Sequence, residues 1–120
     1  MSKSMKLSAL LVLCLVAALA EARNDLVIGV RQPNDFLIQR ELVQKDADVS
    51  ALGIRTSYER TFTGNNISNI TMIRALDQHD NGHGATAQIV GGGVGFKYVT
   101  IKFKSELFRG IDFVVEIYGK

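Results

Sequence analysis

The chain has 120 residues, with 14 Lys+Arg against 12 Asp+Glu, one cysteine, one proline and no tryptophan. A formal charge of +2 calls for neither nucleic acid nor an anionic membrane as partner, and a lone cysteine excludes an intramolecular disulfide framework. The length suits one domain.

At the N-terminus, Lys3 and Lys6 precede a run from Leu7 to Ala20 that is apolar except for Ser8, followed by Ala18-Leu19-Ala20-Glu21-Ala22. This is the charged, apolar and small-residue order of a secretory signal peptide. The run is shorter than the roughly 20 residues a helix needs to cross a bilayer core, so no membrane anchor is expected. Cleavage is expected after Ala20 or, preferably, Ala22, dividing the chain into a signal peptide over 1–22 and a single domain over 23–120. Removing 1–22 takes away Lys3, Lys6, Glu21 and Cys14, so that 12 cations face 11 carboxylates in 98 residues, a formal charge of +1. Disulfides, thiol catalysis and thiolate metal sites are then excluded for the mature protein.

The remaining chain reads as strands. Leu26 to Arg31 is a β-rich run stopped by Gln32-Pro33-Asn34-Asp35, a strong turn signal. Phe36 to Lys45 alternates, with Phe36, Ile38 and Leu42 on one face and Gln39 and Glu41 on the other. Asp46 to Ser50 is a connector. Ile54 to Thr63 sets Tyr58 and Phe62 opposite Glu59 and Thr61, and Thr63-Gly64-Asn65-Asn66 turns the chain. A fourth strand is expected from Ile67 to Asp77, then the polar loop Gln78 to Gly84. Ala85 to Val90 is weakly strand-like and ends at Gly91-Gly92-Gly93, which reads as a tight hairpin because the Lys-Ser/Thr of a phosphate loop is missing. Phe96 to Lys104 alternates Val99, Ile101 and Phe103 against Tyr98, Thr100, Lys102 and Lys104. Gly110 to Tyr118 alternates Ile111, Phe113, Val115 and Ile117 against Asp112, Val114, Glu116 and Tyr118, and Ser105 to Gly110 connects the two. No segment keeps a helical period. The expected fold is all-β: a single small antiparallel sandwich or barrel of about seven strands, with strand order left open between Greek key and meander.

Candidate sites are few. Asn66-Ile67-Ser68 and Asn69-Ile70-Thr71 are N-glycosylation signals that have meaning only on a secreted chain. Asn66 falls in the turn, whereas Asn69 is expected two residues into the strand, and an odd spacing on a regular strand aims the two at opposite faces, leaving one of them bare. Asp77, His79, Asp80 and His83 offer carboxylate and imidazole ligands within one loop, but their spacing is not that of a metal site, and no cofactor is expected. No Gly-x-Ser-x-Gly elbow or comparable arrangement supports a hydrolase. Tyr98, Lys102 and Lys104 on the outer face of one strand read as a solvated surface that discourages aggregation rather than as a contact for nucleic acid.

The segment "NITMIRALDQHDNGHGATAQIVGGGVGFKYVTIKFKSELFRGIDFVVEIYG", with "GVRQPNDFLI" near the start, resembles the insect family named after multiprotein bridging factor two, many members of which are called probable salivary secreted peptides. The match rests on Gly29, Arg31 and Asp35, on "IRALDQ" with "NGHGA", and on "GGG", "VTIKFKS" and "VVEIYG". The resemblance implies a signal peptide, a small extracellular β-domain and no known catalysis. Gly29, Arg31 and Asp35 are read as structural, the glycine for backbone freedom and the ion pair as a brace for the turn. The name-giving member is described as a transcriptional coactivator that bridges a partner factor to the general machinery without touching DNA.

The expected function is therefore that of a non-enzymatic secreted protein, salivary or haemolymph in type, acting as an extracellular binding or structural module on an unidentified protein or surface ligand. Its oligomeric state is left open. A bridging coactivator is the alternative, and a small-ligand carrier with a cavity between sheets is a third.

Overall fold

A computed structural model describes residues 23–47, 55–79 and 82–120. The expected leader over 1–22, the connector beyond Ala47, and Asp80 lie outside the described residues. Seven strands follow in order: β1 (Leu26–Gly29), β2 (Phe36–Lys45), β3 (Arg55–Phe62), β4 (Ile70–Asp77), β5 (Thr86–Gly92), β6 (Val99–Leu107) and β7 (Ile111–Gly119). All pairings are antiparallel, in a four-stranded sheet ordered β1-β4-β7-β2 and a three-stranded sheet ordered β3-β6-β5. This is a sandwich, and it is not a meander: only β5 and β6 are neighbours both in sequence and in a sheet.

The core forms where the alternation of the two central strands converges. Val99, Ile101 and Phe103 of β6 face Ile111, Phe113, Val115 and Ile117 of β7, joined by Phe62, Ile73, Ala75 and Val43. Phe103 and Phe113 meet across the sheets with ring centroids 5.2 Å apart and planes tilted by 56°. Ser105 continues the inward phase of β6 and is buried. Its Oγ accepts a hydrogen bond from Thr56 N–H at 2.7 Å, so β6 runs to Leu107 through part of the expected connector.

Strand β2 departs from expectation. The register slips between Leu37 and Gln39, a β-bulge that spends an extra residue and reverses the phase beyond it. Ile38 still packs against the core, but Gln39, Glu41 and Val43 now pair with inward positions of β7, and Leu42 points outward. The polar groups thus turned inward close one flank of the sandwich. Glu41 forms an ion pair with Arg60 of β3, Gln39 Nε2 donates to Glu41 at 2.7 Å, Gly64 N–H donates to Gln39 Oε1 at 2.8 Å, and the Lys45 ammonium lies 4.2 Å from the centre of the Tyr58 ring. The bulge thereby delivers a carboxylate to Arg60, whose guanidinium also lies 5.3 Å from the centre of the Phe62 ring.

The glycine run ends β5. Gly92 (φ +61°) and Gly93 (φ +119°) adopt backbone conformations that other residues rarely take, and a Cβ on Gly92 would overlap the Tyr98 carbonyl oxygen. The tip then reaches back to β4, where Gly95 N–H donates to Ile70 O and Ile70 N–H to Phe96 O, each at 2.8 Å.

Candidate functional site

One end of the sandwich gathers the β1–β2 turn, the β3–β4 loop and the β5–β6 tip. Here the three expected turn residues act together. Asp35 Oδ1 receives Arg31 Nε at 2.6 Å, and its Oδ2 receives Gln32 N–H at 2.6 Å and the Thr71 hydroxyl at 2.8 Å. The Arg31 guanidinium lies 4.2 Å from the centre of the Tyr118 ring. Gly29, at φ +82°, permits the chain to enter this turn, since a Cβ there would overlap the Thr71 carbonyl oxygen and sit 2.9 Å from Val94 Cγ2. Thr71 and Tyr118 were not visible as partners in the sequence, because each lies far along the chain and reads only as a strand residue.

The Asp35 side chain has no exposed surface. Burial opposes its ionisation, but hydrogen bonds from the Gln32 N–H, Arg31 and Thr71, with the Arg31 charge, outweigh it and hold the pKa below the ordinary 3.8. A carboxylate whose folded pKa is depressed contributes stability that is complete above its unfolded pKa and is lost as pH falls through the folded value. Urea melts are therefore expected to show a loss of stability below about pH 4, and Asp35→Asn is expected to be weaker at neutral pH yet to lose less on acidification. Equal acid losses in the two proteins would remove Asp35 from the account.

The two sugar signals lie in the same region. Asn66 is exposed in the turn at φ 62°, its N–H bonded to Thr63 O at 2.9 Å. Asn69 is exposed as well, and the expectation that it lies inside the strand is corrected: β4 begins at Ile70, and Asn69 exchanges backbone hydrogen bonds of 3.0 Å with Lys120. The strand starts late because Asn65 holds the loop, its Oδ1 accepting the N–H of Ile67 and Ser68 while its Nδ2 donates to Ser68 Oγ at 2.9 Å. The alternation argument for opposite faces does not apply, because Asn66 lies in the turn, ahead of the ladder that the Asn69–Lys120 pair begins. Both hydroxyls of the signals have structural duties, Ser68 in this loop and Thr71 on Asp35.

The opposite end holds the loop after β4. Asp77 is buried and accepts Asn24 N–H on Oδ2 and His79 N–H on Oδ1, both at 3.0 Å. Asp77 N–H donates to Asp25 Oδ1 at 2.8 Å, and Asn24 Nδ2 donates to Gly84 O at 2.9 Å. Gly84 packs directly on the carboxylate, where a Cβ would fall 2.6 Å from Asp77 Cγ. Asp77 thus ties the residues ahead of β1 to the loop that leads into β5. His79 Nδ1 lies 3.7 Å from Asp77 Oδ1, beyond hydrogen-bond reach, whereas His83 Nδ1 turns to Glu106 at 3.0 Å. The structure brings Asp77 and His79 together but sends His83 elsewhere. Among the described residues no group of three His, Cys, Asp or Glu is placed to hold a metal ion. Beside His79, an open polar cleft of about 320 Å³ is bordered by Gln44, Lys45, Asp46 and Asp112, at the strand ends rather than between the sheets.

The family model described as "Transcription activator MBF2" matches residues 28–119, a span that includes both the Asp35 brace and the Asp77 anchor. The chain belongs to the MBF2 family. Over 97 residues it is 44% identical to a "Probable salivary secreted peptide" of Bombus ignitus, covering 81% of this chain and 70% of that relative. No solved structure matches. In this MBF2-family chain the motif residues Gly29, Arg31, Asp35, Asp77 and Gly84 hold loops in place.

Proposed function

We propose that this chain is secreted and works outside the cell as a non-enzymatic binding module. The observation that carries the reading is the 44% identity to a relative named as a salivary secreted peptide. The order of charged, apolar and small residues over 1–22 agrees with it. A binding rather than a catalytic role is supported by how the polar groups are used: Asp35 and Asp77 are occupied by N–H and O–H donors, and His79 and His83 lie against separate carboxylates. A carrier has little support, because Phe62, Phe103 and Phe113 occupy the space between the sheets.

A coactivator role is the second reading, favoured by the family description. N-terminal sequencing and intact mass of the protein made in insect cells separate the two. Protein in the medium that begins at Arg23, with a glycan on Asn66 or Asn69 removed by deglycosylation, is the expected result. Protein retained in the cell with its leader intact and no glycan would overturn secretion and bring the bridging role forward.

A further inference from the structure

The two outward faces of the sandwich differ in a way that a freely solvated domain does not require. On the three-stranded sheet, Glu59, Lys102 and Gln88 lie in one cross-strand row, and Ser57, Lys104 and Thr86 in the next. Those two rows are polar, and the exposed apolar groups Val90 and Tyr98 lie toward the β5–β6 tip. On the four-stranded sheet, Leu42, Val114 and Leu76 form one row across β2, β7 and β4, and Leu37, Tyr118 and Met72 form another. Between them runs a row of Arg40, Glu116 and Arg74.

Exposure sorts these charges by sign. The side chains of Arg31, Arg40 and Arg74 are 53%, 57% and 39% exposed, whereas those of their carboxylate partners are 0% for Asp35 and 15% for Glu116. Asp112, one row beyond the leucines, is engaged by Gln44 at 3.3 Å. The surface offered is thus guanidinium set among leucine, methionine and tyrosine. The guanidiniums also have donors to spare: Arg40 and Arg74 approach Glu116 at 3.6 and 3.3 Å, longer than the roughly 2.8 Å of a tight charge-assisted bond. Arginine on an apolar, aromatic ground is characteristic of protein interfaces, and lysine is depleted there.

We propose that the outward face of the four-stranded sheet docks an acidic amphipathic helix of a partner protein. The proposal rests on the binding-module reading and gives that module its face and its partner chemistry. Rows on a strand are about 6.6 Å apart, so the two apolar rows are separated by about 13 Å with the arginines midway. A helix lying along the strands rises about 6 Å in four residues and about 12 Å in eight. It therefore meets this face with apolar side chains at i and i+7 or i+8 and carboxylates at i+3 or i+4. A second copy of the chain stacked on the same face would set arginine against arginine. A bilayer requires apolar groups that reach past the charges, and here arginine is longer than the leucine and valine beside it.

The test is selection of a phage-displayed library of helical peptides, randomised on one face, against the full chain purified from insect cells. Enriched peptides are expected to combine Asp or Glu with Leu or Phe at the stated spacing. The affinity of a resynthesised winner is expected to fall about tenfold or more in Leu42→Ser and in the Arg40→Gln, Arg74→Gln double variant. Lys102→Gln with Lys104→Gln on the opposite face should leave it unchanged, and urea melts confirm that each variant is folded. No enrichment, basic winners, or winners indifferent to the Leu42 and arginine variants would overturn the proposal. So would loss, in those same variants, of binding to phosphatidylserine vesicles where no peptide is retained. Secretion is read separately by the N-terminus, so a secreted chain with no such face leaves the broader reading standing.

Discussion

Phe113→Ala is expected to destabilise the fold by about 3–5 kcal/mol, the range for deleting a fully buried phenylalanine whose surroundings cannot collapse into the space. Domains of this size are commonly held by only 5–15 kcal/mol, so a large share of the total is at stake. Phe113 has no exposed surface and sits on β7, the strand that pairs with both β2 and β4, while its ring packs on Phe103 of the other sheet. A void there cannot be filled from above without drawing the sheets together, and Ile101, Val115 and Ile117 already occupy the inward positions beside it. Urea melts should show the loss as a lower midpoint. Phe103→Ala is expected to cost as much, and the double variant less than the sum, because the two rings are one another's contact. Phe108→Ala, at an exposed position, should change stability by less than about 0.5 kcal/mol. A Phe113→Ala loss no larger than that of Phe108→Ala would mean that the two sheets are not packed as described.

The strands richest in core residues are also those most legible in the sequence. β6 and β7 alternate without interruption, so period two alone assigns every inward residue from Val99 to Phe103 and from Ile111 to Ile117. β2 was legible as a strand but not in its facing, because a bulge adds one residue with no compositional mark, and Leu42 and Glu41 exchange faces as a result. The same hidden shift conceals the Glu41–Arg60 pair, although Arg60, in phase with Tyr58 and Phe62, already signals an inward charge in need of a carboxylate. Strand order was not legible at all. Four of the five pairings join strands that are not consecutive in the chain, and with no cysteine in the domain there is no covalent constraint to suggest them. In the candidate site, Gly29, Arg31 and Asp35 were readable as a local unit of one turn, whereas Thr71 and Tyr118 reach that turn only through the ladders. Asp77 stood out in the sequence only as one of four carboxylate and imidazole groups in or beside a polar loop. A carboxylate among histidines suggests a ligand, and the donors that claim it are backbone N–H groups, which no side-chain pattern reveals.

Gly84→Ala tests that assignment, with an expected cost of about 3 kcal/mol, at the upper end for overpacking because the obstruction is a held ion rather than a yielding methyl group. The added Cβ would fall 2.6 Å from Asp77 Cγ, so either the carboxylate or the loop must move. Moving the carboxylate leaves the N–H groups of Asn24 and His79 without their acceptor, and moving the loop breaks the bond from Asn24 Nδ2 to Gly84 O. Each unsatisfied buried donor costs about 1–3 kcal/mol, which is also why Asp77→Ala alone is expected to lose about 3 kcal/mol. The two changes remove the same arrangement, so their effects should not add. In an Asp77→Ala background the Gly84→Ala substitution has room for its methyl group and is expected to cost less than about 1 kcal/mol, a coupling well outside the error of additivity for independent sites. Hydrogen exchange should report where the loss falls, with protection disappearing first at Asn24 and His79 while β6 and β7 keep theirs. Full additivity of the two substitutions would show that Gly84 is constrained by something other than the Asp77 carboxylate, and the anchor would then rest on Asn24 alone.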